Sequence, residues 1–143
     1  MTARQAFDRT FLDRLTGDVR GVRRYGEPMA AHTSLKVGGP ADVLVFPDSE
    51  TDMQRLMRRC WEAEVPVFVF GAGTNLLVRD GGIRGVSVCL RGVLDAVRTA
   101  QRGNGSVRLE VGAGVALSQV VRLAVENGLE GVEWAAGIPG TVS

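Results

Sequence analysis

The chain has one lysine, Lys36, one histidine, His32, and two cysteines in 143 residues. Each scarcity closes off a chemistry. With no Gly-Lys-Ser or Gly-Lys-Thr there is no P-loop for a nucleoside triphosphate. A single histidine cannot found a His-based metal cluster, so His32 is expected in a structural or supporting role rather than a catalytic one. Cys60 falls on the apolar face of a helix and Cys89 in an apolar strand, without C-x-x-C spacing, so both are expected to be core thiols. No apolar run approaches the length of a membrane helix, and Arg4, Asp8, Arg9, Asp13 and Arg14 stand where a signal peptide would be apolar. Charge of one sign is missing too. Seventeen basic residues face sixteen acidic ones, a net charge of +1 that exerts no overall pull on nucleic acid or an anionic membrane. These absences describe a cytoplasmic protein with neither nucleic acid nor membrane as partner. Arg20, Arg23 and Arg24 form a local cluster expected to be solvated surface.

What is plentiful is glycine, nineteen residues, in a composition of 45% hydrophobic and 23% charged residues that suits one globular domain. The most informative stretch is 65–86. Val65, Pro66, Val67, Phe68, Val69 and Phe70 form an unbroken apolar run with the length of a buried strand, and it stops abruptly at Gly71-Ala72-Gly73-Thr74-Asn75. Without a Cβ, Gly71 and Gly73 can take positive φ and let backbone approach a ligand, so that successive N–H groups converge on an oxyanion. Thr74 and Asn75 add side-chain donors. A Rossmann fingerprint would need a third glycine opening a helix, but that position is Leu76, and Leu76-Leu77-Val78 runs into the turn Arg79-Asp80-Gly81-Gly82.

Elsewhere, residues 6–19 carry Phe7, Phe11, Leu12 and Leu15 at the spacing of an amphipathic helix, a cover for the rest of the fold. Residues 25–31 read as irregular, and Gly38-Gly39-Pro40 predicts a loop reaching Asp42. A buried strand is expected over 43–46. Ser49 with Asp52 opens the next helix, on which Met53, Leu56, Met57, Cys60 and Trp61 fall on one face, expected to be core. A helix between two apolar strands with short connections predicts a β-α-β unit with parallel strands and a right-handed crossover. The glycine loop would then lie at the carboxyl end of a parallel strand, where α/β folds bind ligands. Strands are predicted over 85–90, 93–100 and 107–111, with Asn104-Gly105 as a type I′ hairpin signal. A second strand exit, Val111-Gly112-Ala113-Gly114-Val115, leads to a helix with Leu117, Val120, Val121 and Ala124 on one face and Asn127-Gly128 at its end. Its glycines fit either tight packing or contact with ligand. No stop signal precedes Ser143, so the front part of a longer protein is expected.

Three motifs in order bring a family into view. Thr33-Ser34-Leu35-Lys36-Val37-Gly38-Gly39-Pro40-Ala41, then Gly71-Ala72-Gly73-Thr74-Asn75-Leu76-Leu77-Val78 with Asp80 and Gly82, then Ala136-Gly137-Ile138-Pro139-Gly140-Thr141-Val142 together resemble the UDP-N-acetylenolpyruvoylglucosamine reductases, also called UDP-N-acetylmuramate dehydrogenases. The resemblance implies an α+β, vanillyl-alcohol-oxidase-like (PCMH-type) FAD-binding domain over 25–143, incomplete at its C-terminus, after an N-terminal helical segment over 1–24. It implies that Gly71, Ala72, Gly73, Thr74, Asn75 and Leu76 hold the FAD pyrophosphate, and that Gly137, Ile138, Pro139, Gly140 and Thr141 lie on the flavin side. Thr74 replaces the family's usual serine and keeps the hydroxyl. His32 stands where asparagine is common and Ser143 where glycine is common, the latter a change near the flavin.

The implied reaction belongs to the cytoplasmic stage of bacterial peptidoglycan synthesis. NADPH would reduce FAD, and hydride would pass to the enolpyruvyl group of a UDP-sugar, building an enolate that needs stabilisation and a proton. The family's groups for those last tasks lie downstream of Ile138-Pro139-Gly140, so no catalytic residue and no metal ligand is assigned here. A flavin- or nucleotide-binding module without turnover, and a related FAD-dependent oxidase, are the alternatives.

Overall fold

The computed structural model describes residues 7–101 and 105–143. Asp8 caps the first helix, α1 (Arg9–Thr16), by accepting the Phe11 N–H at 3.2 Å. It is shorter than the 6–19 span its periodicity predicts, because Asp8 takes the cap and the chain turns after Thr16; Ala6 lies outside the described residues. Four strands follow in one mixed sheet. These are β1 (Gly21–Pro28), β2 (Pro40–Pro47), β3 (Val67–Phe70) and β4 (Ile83–Cys89), in the order β1-β2-β4-β3. β1 is antiparallel to β2, while β4 is parallel to both β2 and β3.

The strands that flank α2 (Glu50–Glu62) are therefore parallel, as expected, but they are not neighbours: β4 lies between them. That leaves β3 at the sheet edge. The apolar run expected to be a buried strand has Phe70 buried, Val67 and Phe68 half-buried and Val69 exposed. Residues 25–31 are not irregular either. β1 covers most of them, followed by a 3-10 turn over Met29–His32, and apolar alternation fails to mark it because an edge strand can carry exposed residues such as Arg23 and Arg24. β2 reaches back to Pro40, which pairs with Pro28; a first strand position tolerates proline.

The two faces of the sheet are covered differently. Val43, Val45, Val86, Val88 and Leu90 pack beneath α1 and α2, joined by Leu12, Leu15, Val19, Leu56 and Cys60. On the other face Leu44, Phe70 and Cys89 meet Met29 from the 3-10 turn and Val78 from a loop. Ser49 caps α2 as expected, accepting the Asp52 N–H at 3.1 Å. Its apolar stripe is only partly core. Leu56 and Cys60 are fully buried, but Met57 lies at the margin and Trp61 is 85% exposed, since the stripe is wider than the sheet beneath it.

Asp42 fastens the sheet at a register shift between β2 and β4. Its side chain is 4% exposed, pairs with Arg84 at 2.5 Å and accepts the Gly85 N–H at 2.9 Å. Beyond β4, Val93 and Leu94 form a turn instead of the predicted strand start, and Val93 is buried in the helix-side core. β5 (Val97–Gln101) and β6 (Val107–Val111) make a separate antiparallel ribbon; Asn104 lies outside the described residues. α3 (Leu117–Glu126) matches its prediction, with Val120 and Ala124 buried and Asn127 at the cap.

Candidate functional site

Three parallel strands, β2, β4 and β3, end on the same side, and the chain leaves β3 through the glycine loop there. Two clefts meet at that place. One, of about 290 Å³, is lined by residues 68–76 with Thr141 and Ser143. The other, of about 150 Å³, lies among the carboxyl ends of the strands, at Phe46, Phe70 and Cys89, and is closed by the loop that carries Ser34 and Lys36 and by Arg91. Phe70, Gly71 and Ala72 line both.

The glycines serve the loop in a different way from the one the sequence suggests. Gly73 takes a positive φ of 66°, as expected, while Gly71 does not. A Cβ on Gly73 would overlap the His32 carbonyl, and one on Gly71 would overlap the Thr141 hydroxyl. Both glycines thus let neighbouring chain close in on the loop, rather than making room for a ligand themselves. What the loop does leave open is its N–H groups. Among the described residues no acceptor is found for the backbone N–H of Gly73, Thr74 or Asn75, which lie on the cleft-lining turn. Successive unpaired N–H groups of this kind form an anion site.

The C-terminal stretch comes to the same place. The N–H groups of Leu117, Val142 and Ser143 donate to the carbonyls of Gly140 (3.0 Å), Val115 (2.9 Å) and Ala113 (3.1 Å), which holds residues 140–143 against the start of α3. From there Thr141 Oγ1 accepts the Ala72 N–H at 3.3 Å, and Thr74 Oγ1 donates to the Pro139 carbonyl at 3.3 Å. The structure so brings Gly71, Ala72, Gly73 and Thr74 together with Pro139, Gly140 and Thr141. Thr74 spends its proton on Pro139. Asn75 is exposed and Leu76 half-buried against the loop-side core, while Gly137 and Ile138 stand exposed with no bond to the glycine loop among the described residues.

Sequence reasoning gave the Thr33–Ala41 motif no site role, and it missed Arg91 altogether. The Ser34 N–H donates to the Gly73 carbonyl at 3.1 Å, so this stretch props the glycine loop from behind. His32 is tied into the protein, with Nε2 2.8 Å from Glu27 Oε1 and the ring leaning on Phe46, and it also lines the smaller cleft. The His32 and Arg24 bonds hold the Glu27 carboxyl below its usual range. Cys89 is buried and points its thiol at the Gly71 carbonyl, 3.5 Å away; burial pushes both thiols up, Cys60 to about 11. Arg91 donates to the Ala72 carbonyl at 3.2 Å. An arginine just past the carboxyl end of a parallel strand is a readable signal, since that edge of the sheet is where ligands bind.

Residues 41–143 match the family described as FAD binding domain. A UDP-N-acetylenolpyruvoylglucosamine reductase of Desulfosudis oleivorans is 43% identical over 136 residues, covering 94% of this chain and 43% of that protein. The protein of the same name in Heliobacterium modesticaldum is 44% identical over 131 residues, 92% of this chain and 40% of its own length. The chain spans about two fifths of the length of these curated relatives. Among solved structures, the UDP-N-acetylenolpyruvylglucosamine reductase of Thermus caldophilus superposes with a TM-score of 0.58 at 30% identity, over 87% of this chain and 40% of that one. A cholesterol oxidase from Brevibacterium sterolicum has the same TM-score at 16% identity, over 78% of this chain and 21% of that one, a likeness of fold alone. The α+β, vanillyl-alcohol-oxidase-like fold and the resemblance to the reductases are both borne out.

Proposed function

The chain belongs to the FAD binding domain family, and we propose that it is the FAD-binding part of an NADPH-using UDP-N-acetylenolpyruvoylglucosamine reductase that works in the cytoplasmic stage of peptidoglycan synthesis. In this reading the N–H groups of Gly73, Thr74 and Asn75 hold the FAD diphosphate. Gly71, Ala72 and Leu76 shape the loop around it, and residues 137–141 flank the flavin side. The observation that carries the proposal is that these three N–H groups have no acceptor among the described residues and lie beside a cleft, at the carboxyl ends of parallel strands.

When bound, FAD supplies the hydride chemistry that links NADPH to the enolpyruvyl group of the UDP-sugar. The residues described here bind and orient. Thr141 and Thr74 tie the two cofactor-facing segments together through Ala72 and Pro139, and Gly71 lets that contact close. The groups that stabilise an enolate and deliver its proton are not assigned to this chain.

The test is an absorbance spectrum of the purified protein with and without added FAD, followed by NADPH oxidation in the presence of the enolpyruvyl UDP-sugar. Flavin bands that appear when FAD is added and are held only weakly through gel filtration are expected. A folded protein that neither carries nor takes up FAD would contradict the proposal. Flavin bands with no NADPH oxidation would support a binding part whose catalytic groups lie outside these residues.

A further inference from the structure

We propose that Lys36 and Arg91 supply the countercharge for the FAD diphosphate, reaching it from the smaller cleft across the Gly71–Ala72 backbone. This rests on the FAD reading above and goes beyond it, because that reading uses only backbone N–H groups. Charge balance is the argument. A diphosphate brings two negative charges to its site, and N–H dipoles alone leave them uncompensated in a partly desolvated place. Among the described residues, the 290 Å³ cleft beside Gly73, Thr74 and Asn75 has no charged side chain in its lining. The adjoining 150 Å³ cleft has Lys36 and Arg91, together with His32, whose ring already faces Glu27.

The two clefts are contiguous through Phe70, Gly71 and Ala72. The Arg91 guanidinium, 3.2 Å from the Ala72 carbonyl, stands at their border. Among the described residues neither Lys36 nor Arg91 is in an ion pair, unlike Arg24, Arg59 and Arg84, so their charge is not spent inside the protein. Lys36 lines the smaller cleft from a turn in which its N–H donates to the Thr33 carbonyl at 3.2 Å. The same loop is fixed to the glycine loop by the Ser34 to Gly73 bond, which ties the backbone that carries Lys36 to the backbone that carries the N–H groups. Charge-assisted contacts to phosphate are stronger than neutral ones and weaken with salt.

The experiment is a titration with FAD, read by quenching of flavin fluorescence at low and high salt, on the wild type, Lys36→Met, Arg91→Met and the charge-keeping Lys36→Arg. Circular dichroism checks that each is folded; both side chains are exposed, and their replacement leaves the core intact. Each methionine variant is expected to lose about tenfold or more in FAD affinity and much of the salt dependence, while Lys36→Arg stays near wild type. Wild-type affinity and wild-type salt dependence in both methionine variants would overturn this assignment and leave the FAD reading standing. A folded wild type that binds no FAD would overturn both.

Discussion

Two strands in this chain leave their sheets through the same three residues, Gly71-Ala72-Gly73 after β3 and Gly112-Ala113-Gly114 after β6, and the protein treats them in opposite ways. At the second exit the N–H groups of both glycines are consumed. Gly112 donates to Ala96 at 2.8 Å, Gly114 to Leu94 at 3.0 Å, and Val115 back to Gly112 at 3.1 Å. A Cβ on either glycine would overlap backbone carbonyls, of Leu94 for Gly112 and of Val93 and Leu90 for Gly114. At the first exit the glycines also admit close neighbours, but the three successive N–H groups from Gly73 to Asn75 find no acceptor among the described residues. The glycine pattern therefore marks close backbone approach in both places. Only the hydrogen-bond inventory separates a packing joint from a ligand loop.

The comparison breaks most visibly at Gly114. Gly114→Val sets a branched side chain against two backbone carbonyls, and its expected cost is about 3 kcal/mol or more, read as a lower urea midpoint. The folded fraction should still take up FAD. A stable Gly114→Val protein that had lost FAD would make the second exit the ligand loop.

Gly73→Ala should cost less stability, about 1–3 kcal/mol, since it combines a positive φ with one carbonyl overlap at His32. It should nevertheless lose FAD binding almost completely, because the loop and its N–H groups must shift. Unchanged flavin absorbance in the purified variant would count against the first exit.

A finer cut is Thr74→Val, which removes the bond to the Pro139 carbonyl and should cost about 1 kcal/mol, with Thr74→Ser near neutral. Equal urea midpoints for Thr74→Val and wild type would show that the tie between the two segments contributes nothing.

The smallest effect concerns the prop behind the first exit. The Glu27 carboxyl is held below its ordinary 4.5, so its contribution is present above that value and lost as pH falls through the lower folded value. The midpoint difference between wild type and Glu27→Gln should therefore be widest near neutral pH and shrink below about pH 4.5. A difference that grows on acidification would contradict the sign.

The sequence made the glycine loop, α2 and α3 legible because each is a local pattern: an apolar run cut by glycine, or a helical stripe with its cap. Strand order was not legible. That β4 inserts between β2 and β3 depends on pairing between residues far apart in the chain, and no local signal records it. β1 escaped because an edge strand needs little apolar alternation, and Trp61 was misread because its stripe runs beyond the sheet that buries Leu56. At the site, the meeting of residues 71–74 with 139–141 followed the order of the motifs; Arg91 could be read only as an arginine just past a predicted strand, and Lys36, on a loop, carried no local signal. Their place depends on where three strand ends converge.

Amide hydrogen exchange with and without FAD tests the central claim most directly. The amides of Gly73, Thr74 and Asn75 should exchange freely in the unliganded protein and become protected when FAD is added, while those of Gly112 and Gly114 should be protected throughout. FAD bound with the amides of Gly73, Thr74 and Asn75 still exchanging freely would contradict the account.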